Sequence, residues 1–426
     1  MKKYINPSPS EWAALTQRPV FNQGELTQTV GNILRNVRRN GDQALREYTK
    51  KFDSVAINNL AVNEQEIQKA IATISEELKD AIQVAYANIY KFHQSQKNKV
   101  EVIETMPGVR CWRKSVAIQR VGLYIPGGTA PLFSSILMLG IPAQIAGCKE
   151  VVLCTPPNKK GDIHPAILYT ANLVGIRKIY KVGGAQAIAA MTYGTATIPQ
   201  VYKIFGPGNQ YVTKAKELAQ QNGTAIDMPA GPSEVLVIAD STCQPAFVAA
   251  DLLSQAEHGT DSQVILLSDN EQITNECLAE IEQQIKALPR QIIAQKALEN
   301  SKAITLESME DCVRFSNIYA PEHLIIASEN ARQYADHITN AGSVFMGNYS
   351  CESAGDYASG TNHTLPTNGF ARNYSGVSLD SFVKKITYQE LSKEGIQNIG
   401  KFIEIMAAAE QLMAHKNAVT LRLESL

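Results

Sequence analysis

Short, uninterrupted runs of apolar residues alternate with helical runs over the middle of the chain. The apolar runs lie at 151–154, 178–182, 203–205, 235–239, 264–267, 324–327 and 343–346, and the helical runs at 166–174, 185–191, 211–220, 245–257, 271–288 and 329–338. Strands that are apolar on both faces and separated by helices are typical of parallel sheets covered by helices on both sides. The pattern therefore predicts an α/β fold with two doubly wound parallel-sheet blocks.

The two ends of the chain have other patterns. Residues 1–22 carry three prolines and no clear periodicity, which is typical of an arm. Helical periodicity extends from Leu26 to about Phe92, and segment 116–121 is predicted to be a strand. After Phe370 the chain becomes helical again, and the alternating segment 418–423 predicts a final strand.

Composition and charge exclude some classes of protein. The chain has 426 residues, enough for two or three domains at roughly 150 residues each. Its 40 Lys and Arg are balanced by 41 Asp and Glu, whereas a general nucleic-acid binder normally carries a basic face. The longest apolar stretch, 136–148, is too short to span a bilayer, and the N-terminus has no apolar signal core. We therefore expect a cytoplasmic protein that binds neither nucleic acid nor membranes.

Three loops combine a preceding strand, glycines and a following helix, at 125–130, 182–187 and 205–209. Glycine lets a backbone approach a ligand closely, and a helix N-terminus offers unpaired N–H groups to an anion. Each loop alone is explained equally well as a tight turn, and none matches the Gly-x-Gly-x-x-Gly fingerprint. Three in one block, beside Tyr124, Gln186 and Asn209, favour a nucleotide or phosphate site. A fourth loop, 228–233, brings Ser233 toward the same edge.

Several polar segments contain residue types that bind metals. Gln255 and His258 are three residues apart on one face of a predicted helix. Asp356 and His363 lie in a loop rich in Gly and Ser, and His415 lies near the end of the predicted C-terminal helix. Amide, imidazole and carboxylate groups can all hold a divalent cation. Each also has a structural explanation: a hydrogen-bonded surface pair, a turn-forming Asx residue and a cation at a negative helix end. Spacing alone leaves this choice open.

Glu322 and His323 follow Pro321 at the predicted start of a strand, where both side chains can reach one cavity. A carboxylate beside an imidazole can divide general-base work, because one takes a proton from water and the other from an alcohol. An exposed polar turn is the alternative explanation. The remaining histidines, His93, His164 and His337, fall on or beside ordinary helical stretches, so we expect them to be structural.

Taken together, these segments resemble the histidinol dehydrogenase family. The resemblance rests on motifs at 121–128, 182–188, 205–209, 226–234, 253–259, 321–324, 355–363 and 414–417. The motifs occur in order from about residue 20 to the C-terminus, and as a set they are highly specific.

The resemblance implies a zinc-dependent, NAD-linked enzyme that oxidises L-histidinol to L-histidine through L-histidinaldehyde, with two NAD consumed, at the end of histidine biosynthesis. One zinc ion per subunit would be held by Gln255, His258, Asp356 and His415. Glu322 and His323 would form the acid–base pair, with Glu322 serving the water step. Tyr124, Gln186 and Asn209 would contact NAD. Substrate would contact Ser233 and Glu410 in addition to the zinc ligands and the acid–base pair.

The resemblance also implies a homodimer in which Glu410 and His415 enter the active site of the partner. Pattern and resemblance together divide the chain into four parts. These are an arm (1–22), a discontinuous α/β domain with most metal and acid–base residues (23–123 plus 234–370), an inserted, incomplete Rossmann-like NAD-binding domain (124–233) and an extended dimerisation tail (371–426).

Other functions account for only part of these features. A zinc hydrolase with an α/β fold would explain Gln255, His258, Asp356 and Glu322, but not the glycine loops. A non-catalytic nucleotide-binding module would explain only the loops. A cysteine-dependent aldehyde dehydrogenase would need no metal. Cys111 and Cys148 are the candidate nucleophiles for such a route, but neither lies in a recognisable electropositive motif, so hydration assisted by Glu322 is favoured.

Overall fold

The computed structural model of the chain describes residues 1–18, 23–127, 131–229 and 231–426. The N-terminal part is mostly helical, with strand β1 (Lys2–Ile5) followed by α1 (Trp12–Leu15), α2 (Gln23–Phe52), α3 (Glu64–Thr73) and α4 (Glu76–Gln94). Helix α2 contains one non-helical residue, Gly41, at which the helix kinks. Helices α3 and α4 begin at side-chain caps: Asn63 accepts a hydrogen bond from the backbone of Glu66, and Ser75 from that of Leu78. The predicted helical region is therefore confirmed, with breaks between its helices.

Strands and helices alternate from residue 102 to residue 226. The elements are β2 (Val102–Met106), β3 (Val109–Ala117), β4 (Arg120–Tyr124), α5 (Ser134–Ala146), β5 (Glu150–Thr155), α6 (Pro165–Leu173), β6 (Lys178–Lys181), α7 (Gly184–Tyr193), β7 (Lys203–Phe205), α8 (Gln210–Gln221) and β8 (Ala225–Ile226). Strands β4 to β8 form a parallel sheet in the order β6-β5-β4-β7-β8, here called the first sheet. Its predicted strands and helices are confirmed, except that 116–121 is not one strand: it spans the end of β3, a two-residue break and the start of β4.

The alternation continues to residue 357. The elements are β9 (Glu234–Ala239), α9 (Pro245–Ala256), β10 (Gln263–Ser268), α10 (Glu271–Gln284), α11 (Gln291–Glu299), β11 (Lys302–Thr305), α12 (Met309–Tyr319), β12 (His323–Ala327), α13 (Ala331–Ala335), β13 (Ser343–Met346) and α14 (Glu352–Tyr357). These strands and β1 form the second sheet, parallel throughout, in the order β1-β11-β10-β9-β12-β13. The predicted α/β fold with two parallel sheets is thus confirmed.

The C-terminal part consists of β14 (Val383–Leu391), α15 (Lys393–Ala409) and α16 (Met413–Glu424). Strand β14 pairs antiparallel with β3, which also pairs with β2, so these strands form a separate antiparallel sheet. The predicted strand at 418–423 is wrong, because these residues belong to α16. Val419 and Leu423, four residues apart, share one helix face, and both lie close to Gly400 of α15.

The hydrophobic cores show which elements belong together. Buried side chains of α2, α3 and α4 pack with those of the first sheet and its helices. Separate clusters cover the two faces of the second sheet, one with α9 and α10 and the other with α12 and Trp12. Packing therefore favours grouping helices α2 to α4 with the first sheet, whereas the predicted division groups 23–123 with 234–370. The domain boundaries stay a prediction. Within the described part of the chain, no helix has the length and apolar character to cross a membrane.

Candidate active site

A cavity of about 810 Å³ lies between the two parallel sheets. From the first sheet it is lined by residues that follow strand ends, such as Pro126, Pro207 and Asn209. From the second sheet it is lined by residues at strand starts, among them Ser233, Glu322 and His323. Helix α9 and the segment around α14 add Gln255, His258, Asp356 and His363. The fold thus brings most of the candidate residues to one place.

Glu322 and His323 are buried and fixed by the start of β9. The Glu322 carboxylate accepts a hydrogen bond from the backbone N–H of Glu234 at 2.8 Å and lies 3.4 Å from Gln255 Nε2. His323 Nδ1 lies 3.2 Å from the carbonyl oxygen of Glu234 and 3.2 Å from Gln255 Nε2. The two side chains approach each other to 3.7 Å. Both therefore face one cavity, as predicted from Pro321, and the exposed-turn alternative is wrong.

Two carboxylates on α14 flank the His323 ring. Asp356 Oδ1 lies 3.6 Å from His323 Nε2, and Glu352 Oε1 lies 3.8 Å from Nδ1. The two acids are four residues apart, so they share the face of α14 that lies beside His323. His323, Glu352 and Asp356 each offer a ligand atom within 4.8 Å of the other two, a geometry suited to a cation.

Several buried polar atoms in this region lack a hydrogen-bond partner among the described residues. They are Gln255 Oε1, His323 Nε2, Glu352 Oε2, Asp356 Oδ1 and His363 Nε2. A buried polar atom without a partner costs about 1–3 kcal/mol, so a cluster of them indicates a ligand that completes the site. Amide, imidazole and carboxylate donors together suit a divalent metal such as zinc. These residues therefore fit a metal ion.

The environment shifts the pKa values of the acid–base pair. Burial raises the pKa of Glu322 to about 8. Burial by itself lowers the pKa of His323, but the carboxylates of Glu352 and Glu322 outweigh it and raise the value to about 10. Burial lowers the pKa of His258 and of His363, which favours neutral imidazoles able to act as ligands or acceptors. Perturbed titrations concentrated in one cleft are typical of active sites.

The glycine loops of the first sheet form the opposite wall. Gly184 begins α7, and its N–H donates to the Tyr124 hydroxyl at 3.1 Å. Gly206 has a φ of +129°, and a Cβ there would lie 2.0 Å from the Tyr124 carbonyl oxygen, so only glycine fits. Asn209 caps α8 by accepting from the backbone of Tyr211 and Val212. Two predicted loops are thus strand–glycine–helix turns, whereas residues 128–130 of the third lie outside the described residues.

The candidate cofactor residues differ in position. Asn209 is exposed and lines the cavity. Tyr124 and Gln186 are buried beneath the Gly183–Gly184 turn and, within the described part of the chain, are not among the residues that line the cavity. Gln186 Oε1 has no hydrogen-bond partner there either, so it can accept from a bound molecule or water.

Glu410 and His415 lie elsewhere. Both are exposed, Glu410 at the end of α15 and His415 in the first turn of α16. The prediction that His415 lies near the end of a C-terminal helix is wrong, and with it the explanation by a negative helix end. Among the described residues, neither Glu410 nor His415 contributes to the cavity wall.

Sequence reasoning missed two acidic residues beside the site. Glu352 precedes Asp356 by four residues, and that spacing on a short helix was a usable signal. Glu234 acts mainly through its backbone, which sequence alone does not reveal. His363 was noted with Asp356 but given no role, although it lines the cavity.

Comparison with known proteins agrees with this geometry. The family model for histidinol dehydrogenase matches residues 16–423. The chain belongs to the histidinol dehydrogenase family. A histidinol dehydrogenase of Bacteroides thetaiotaomicron is 58% identical over 426 residues, covering 100% of both chains. One from Escherichia coli K12 is 54% identical over 415 residues, covering 97% of this chain and 95% of the other.

A solved structure shows the same fold. The crystal structure of histidinol dehydrogenase from Elizabethkingia anophelis superimposes with a TM-score of 0.98 at 62% sequence identity, and the match covers 100% of this chain and 98% of the other. Family membership makes the protein an oxidoreductase of amino-acid biosynthesis. It therefore decides against the hydrolase and against the non-catalytic nucleotide-binding module.

Proposed function

We propose that the protein oxidises L-histidinol to L-histidine through L-histidinaldehyde, with two NAD consumed and one zinc ion bound per subunit. The observation that carries this proposal is the cavity shared by the glycine-loop edge of the first sheet and the acid–base cluster of the second. Converting an alcohol to a carboxylate removes four electrons, and each NAD accepts two. Both oxidations can therefore occur without moving the substrate to another site.

Zinc would be held by Gln255, His258 and Asp356 of one subunit and by His415 of the partner subunit. When bound, zinc would supply a fixed positive charge that orients the amine and imidazole of histidinol. The unpartnered Gln255 Oε1 and Asp356 Oδ1 support this set. A cation held by His323, Glu352 and Asp356 is the geometric alternative. We favour the first set, because it leaves His323 available as a base.

Zinc content separates the two ligand sets. We expect His258→Ala to lose zinc and Glu352→Gln to retain it, as measured by metal analysis of purified protein. The reverse result would assign the metal to the alternative set. This readout does not depend on turnover.

The protein groups supply the proton transfers. His323 takes the hydroxyl proton of histidinol as hydride leaves for the nicotinamide, and Glu322 activates the water that hydrates the aldehyde. Both pKa values would fall beside a divalent cation, which favours the carboxylate and the neutral imidazole that general bases require.

The alternative cysteine route has little structural support. Cys111 lies on β3 of the antiparallel sheet, and Cys148 is directed at the carbonyl oxygen of Phe382, 3.8 Å away. Burial raises the pKa of Cys148 to about 12, so its thiolate is scarce near neutral pH. Within the described part of the chain, neither thiol lines the cavity. Cys111→Ser and Cys148→Ser variants that lose only aldehyde oxidation would contradict direct hydration.

A homodimer with shared sites is part of the proposal. The hairpin of α15 and α16 exposes apolar side chains on the same segments that carry Glu410 and His415, namely Phe402, Ile405, Met406, Leu412 and Met413. Burial of these side chains against a second copy would bring both polar residues to the partner's cavity, where Glu410 would contact substrate together with Ser233. We expect mixed dimers of His258→Ala and His415→Ala to regain part of the activity, because one of their two sites is intact. Verified heterodimers without any activity would argue against sharing.

The central experiment measures NADH formed per histidinol consumed, before chelation, after chelation and after zinc is returned. We expect two NADH per substrate, loss of turnover with the chelator and recovery with zinc. One NADH with release of aldehyde would remove the proposed role of Glu322. No NADH from the zinc-loaded protein would contradict the proposed reaction.

A further inference from the structure

Arg18, in the N-terminal segment that sequence analysis left without a role, reaches the wall of the cavity. Its guanidinium forms a bidentate ion pair with the carboxylate of Glu234, in which Nε donates to Oε1 at 2.5 Å and Nη2 donates to Oε2 at 2.8 Å. Nη2 also donates to the carbonyl oxygens of Tyr319 at 2.9 Å and Ala320 at 3.3 Å. The guanidinium carbon lies 3.9 Å from the centre of the Tyr319 ring. One side chain thus holds two chain segments that are far apart in sequence.

Both segments lead directly into the acid–base pair. Glu234 is the first residue of β9, and its backbone N–H donates to Glu322 while its carbonyl oxygen faces Gln255 Nε2 and His323 Nδ1. Tyr319 and Ala320 end α12 just before Pro321, and Ala320 has a φ of +54°, which is unusual for a non-glycine residue. The position of both bases therefore depends on two backbone segments that Arg18 ties together.

The ion pair is largely shielded from solvent, with side-chain exposures of 12% for Arg18 and 3% for Glu234. Glu234 accepts a further hydrogen bond from the backbone of Asn368, so its carboxylate is fixed on several sides. A planar guanidinium can serve a carboxylate and two carbonyl groups at once, which a single ammonium group cannot do in this geometry. Shape as well as charge is therefore required at position 18.

We propose that Arg18 is a positioning residue for the oxidation, acting through the backbone of Glu234 and the turn at 319–321 to aim Glu322 and His323 into the cavity. This inference rests on the proposed function for the roles of those two bases. The hydrogen bonds of Arg18 to Glu234, Tyr319 and Ala320 hold the second sheet and its connections rather than the cofactor loops of the first sheet. Loss of Arg18 should then impair the chemical steps and leave the KM for NAD unchanged.

The test compares wild type, Arg18→Gln and Arg18→Lys for kcat, for both KM values and for amide hydrogen exchange in segments 231–240 and 318–327. We expect kcat to fall about tenfold to a hundredfold in both variants, because misplacement of reacting groups by about 1 Å costs about that much. Exchange of both segments should accelerate. Arg18→Lys keeps the positive charge beside Glu234 and is the variant expected to fold if Arg18→Gln does not.

Arg314→Gln is the matched control, because Arg314 is 65% exposed, pairs with Asp311 and lies over Trp12 on the same side of the second sheet. It should leave kcat and exchange unchanged. A wild-type kcat in Arg18→Lys would overturn the proposal, as would a raised KM for NAD as the main defect of either variant. A lack of turnover in wild type would instead contradict the proposed function, and the exchange measurements would still test whether Arg18 fixes the two segments.

Discussion

The two parallel sheets contribute opposite edges to the same cavity. The first sheet presents the carboxyl ends of its strands, where the loops after Tyr124, Lys181 and Phe205 emerge. The second sheet presents its amino ends, where Glu234 and His323 begin their strands. Ligands of open α/β sheets usually bind at carboxyl ends, so the first sheet follows the general rule and the second does not.

The difference follows from what each edge must supply. Carboxyl ends lead into glycine turns and helix N-termini, where phosphate-bearing cofactors usually bind. Amino ends of the second sheet are reached by the last turn of α9 and by α14, which deliver Gln255, His258 and Asp356 as side chains. The proposed cofactor edge thus combines glycine turns with the side chains of Tyr124, Gln186 and Asn209, whereas the acid–base edge relies on side chains held by backbone.

Each edge is braced by a buried ion pair that holds backbone. At the first sheet, Lys216 pairs with Asp227, Lys216 donates to the carbonyl oxygen of Gly206, and the Gly206 N–H donates to Asp227 at 2.8 Å. At the second sheet, Arg18 and Glu234 do the same for the acid–base pair. In the proposed function, the cofactor edge and the acid–base edge are therefore each supported by an ion pair of their own, and this separation can be tested.

Zinc removal is expected to have the largest effect, and it should impair the acid–base edge while leaving NAD binding at the cofactor edge unchanged. Turnover should fall to background in chelated protein, because the substrate loses its anchor at the second sheet. NAD affinity should stay unchanged, because the glycine loops and Asn209 belong to the first sheet. Calorimetric NAD titrations before and after chelation, with zinc return as control, measure both. A parallel loss of NAD affinity would mean that the metal also organises the cofactor edge.

Glu322→Gln should affect only the second oxidation. The amide cannot take a proton from water, and loss of a general base costs about 10²–10⁴-fold in rate. The NADH yield per histidinol should then fall from two toward one while aldehyde accumulates. Glu329→Gln is the control, since Glu329 is an exposed carboxylate beyond the opposite end of β12. An unchanged yield of two NADH at the wild-type rate would exclude Glu322 as the base of the hydration step.

Lys216→Ala should act on the cofactor edge. Its loss leaves the buried Asp227 without its cation, which is expected to cost about 3–5 kcal/mol in the free energy of unfolding. In the folded fraction, the KM for NAD should rise more than the KM for histidinol, because Gly206 loses its hydrogen bond from Lys216. Lys178→Ala removes a more exposed pair with Glu150 in the same sheet and should change little. An equal rise in both KM values would contradict the proposal that the cofactor edge and the acid–base edge are supported separately.

Much of the fold could be predicted because its signals are local. Apolar strands such as 235–239 and 264–267 can be recognised from composition alone, and their predicted bounds lie within one residue of the observed ones. The antiparallel sheet was missed, because β14 pairs with β3 across some of the longest sequence separations in the chain and both strands are mostly polar or exposed. Strand β1 was missed for the same reason: its partner β11 is distant in sequence. Pairing of this kind leaves no local trace.

The candidate site was predictable in its residues and not in its assembly. Gln255 and His258 lie at the end of α9 and just after it, Glu322 lies just before β12, and Asp356 lies on α14, so only the fold brings them to one cavity. Spacing left metal binding undecided, and the resemblance to a family supplied the grouping. In segment 418–423 the local pattern was misleading. Its two-residue alternation predicted a strand, but the segment is part of helix α16, and Val419 and Leu423 pack against α15.

Replacing Asp53 is expected to have the smallest effect, a change in how the stability of the protein depends on pH. Asp53 lies behind the cofactor edge with Oδ2 buried and, among the described residues, without a hydrogen-bond partner, so it lacks the cation that Asp227 and Glu234 have. Burial raises the pKa of Asp53 to about 6, against about 3.9 for an unfolded aspartate. Between these values the unfolded chain releases a proton that the folded chain retains, so stability falls as pH rises and stays reduced above about pH 6.

Asp53→Asn should therefore raise Tm above about pH 6 and leave Tm unchanged below about pH 4. Thermal unfolding of both proteins across this range measures the difference. Asp80→Asn, at an exposed position on α4, is the control and should shift Tm at neither pH. If Asp53→Asn instead lowers Tm at pH 8, the carboxylate has a stabilising partner when ionised, and cofactor-edge acids would not depend on a dedicated lysine.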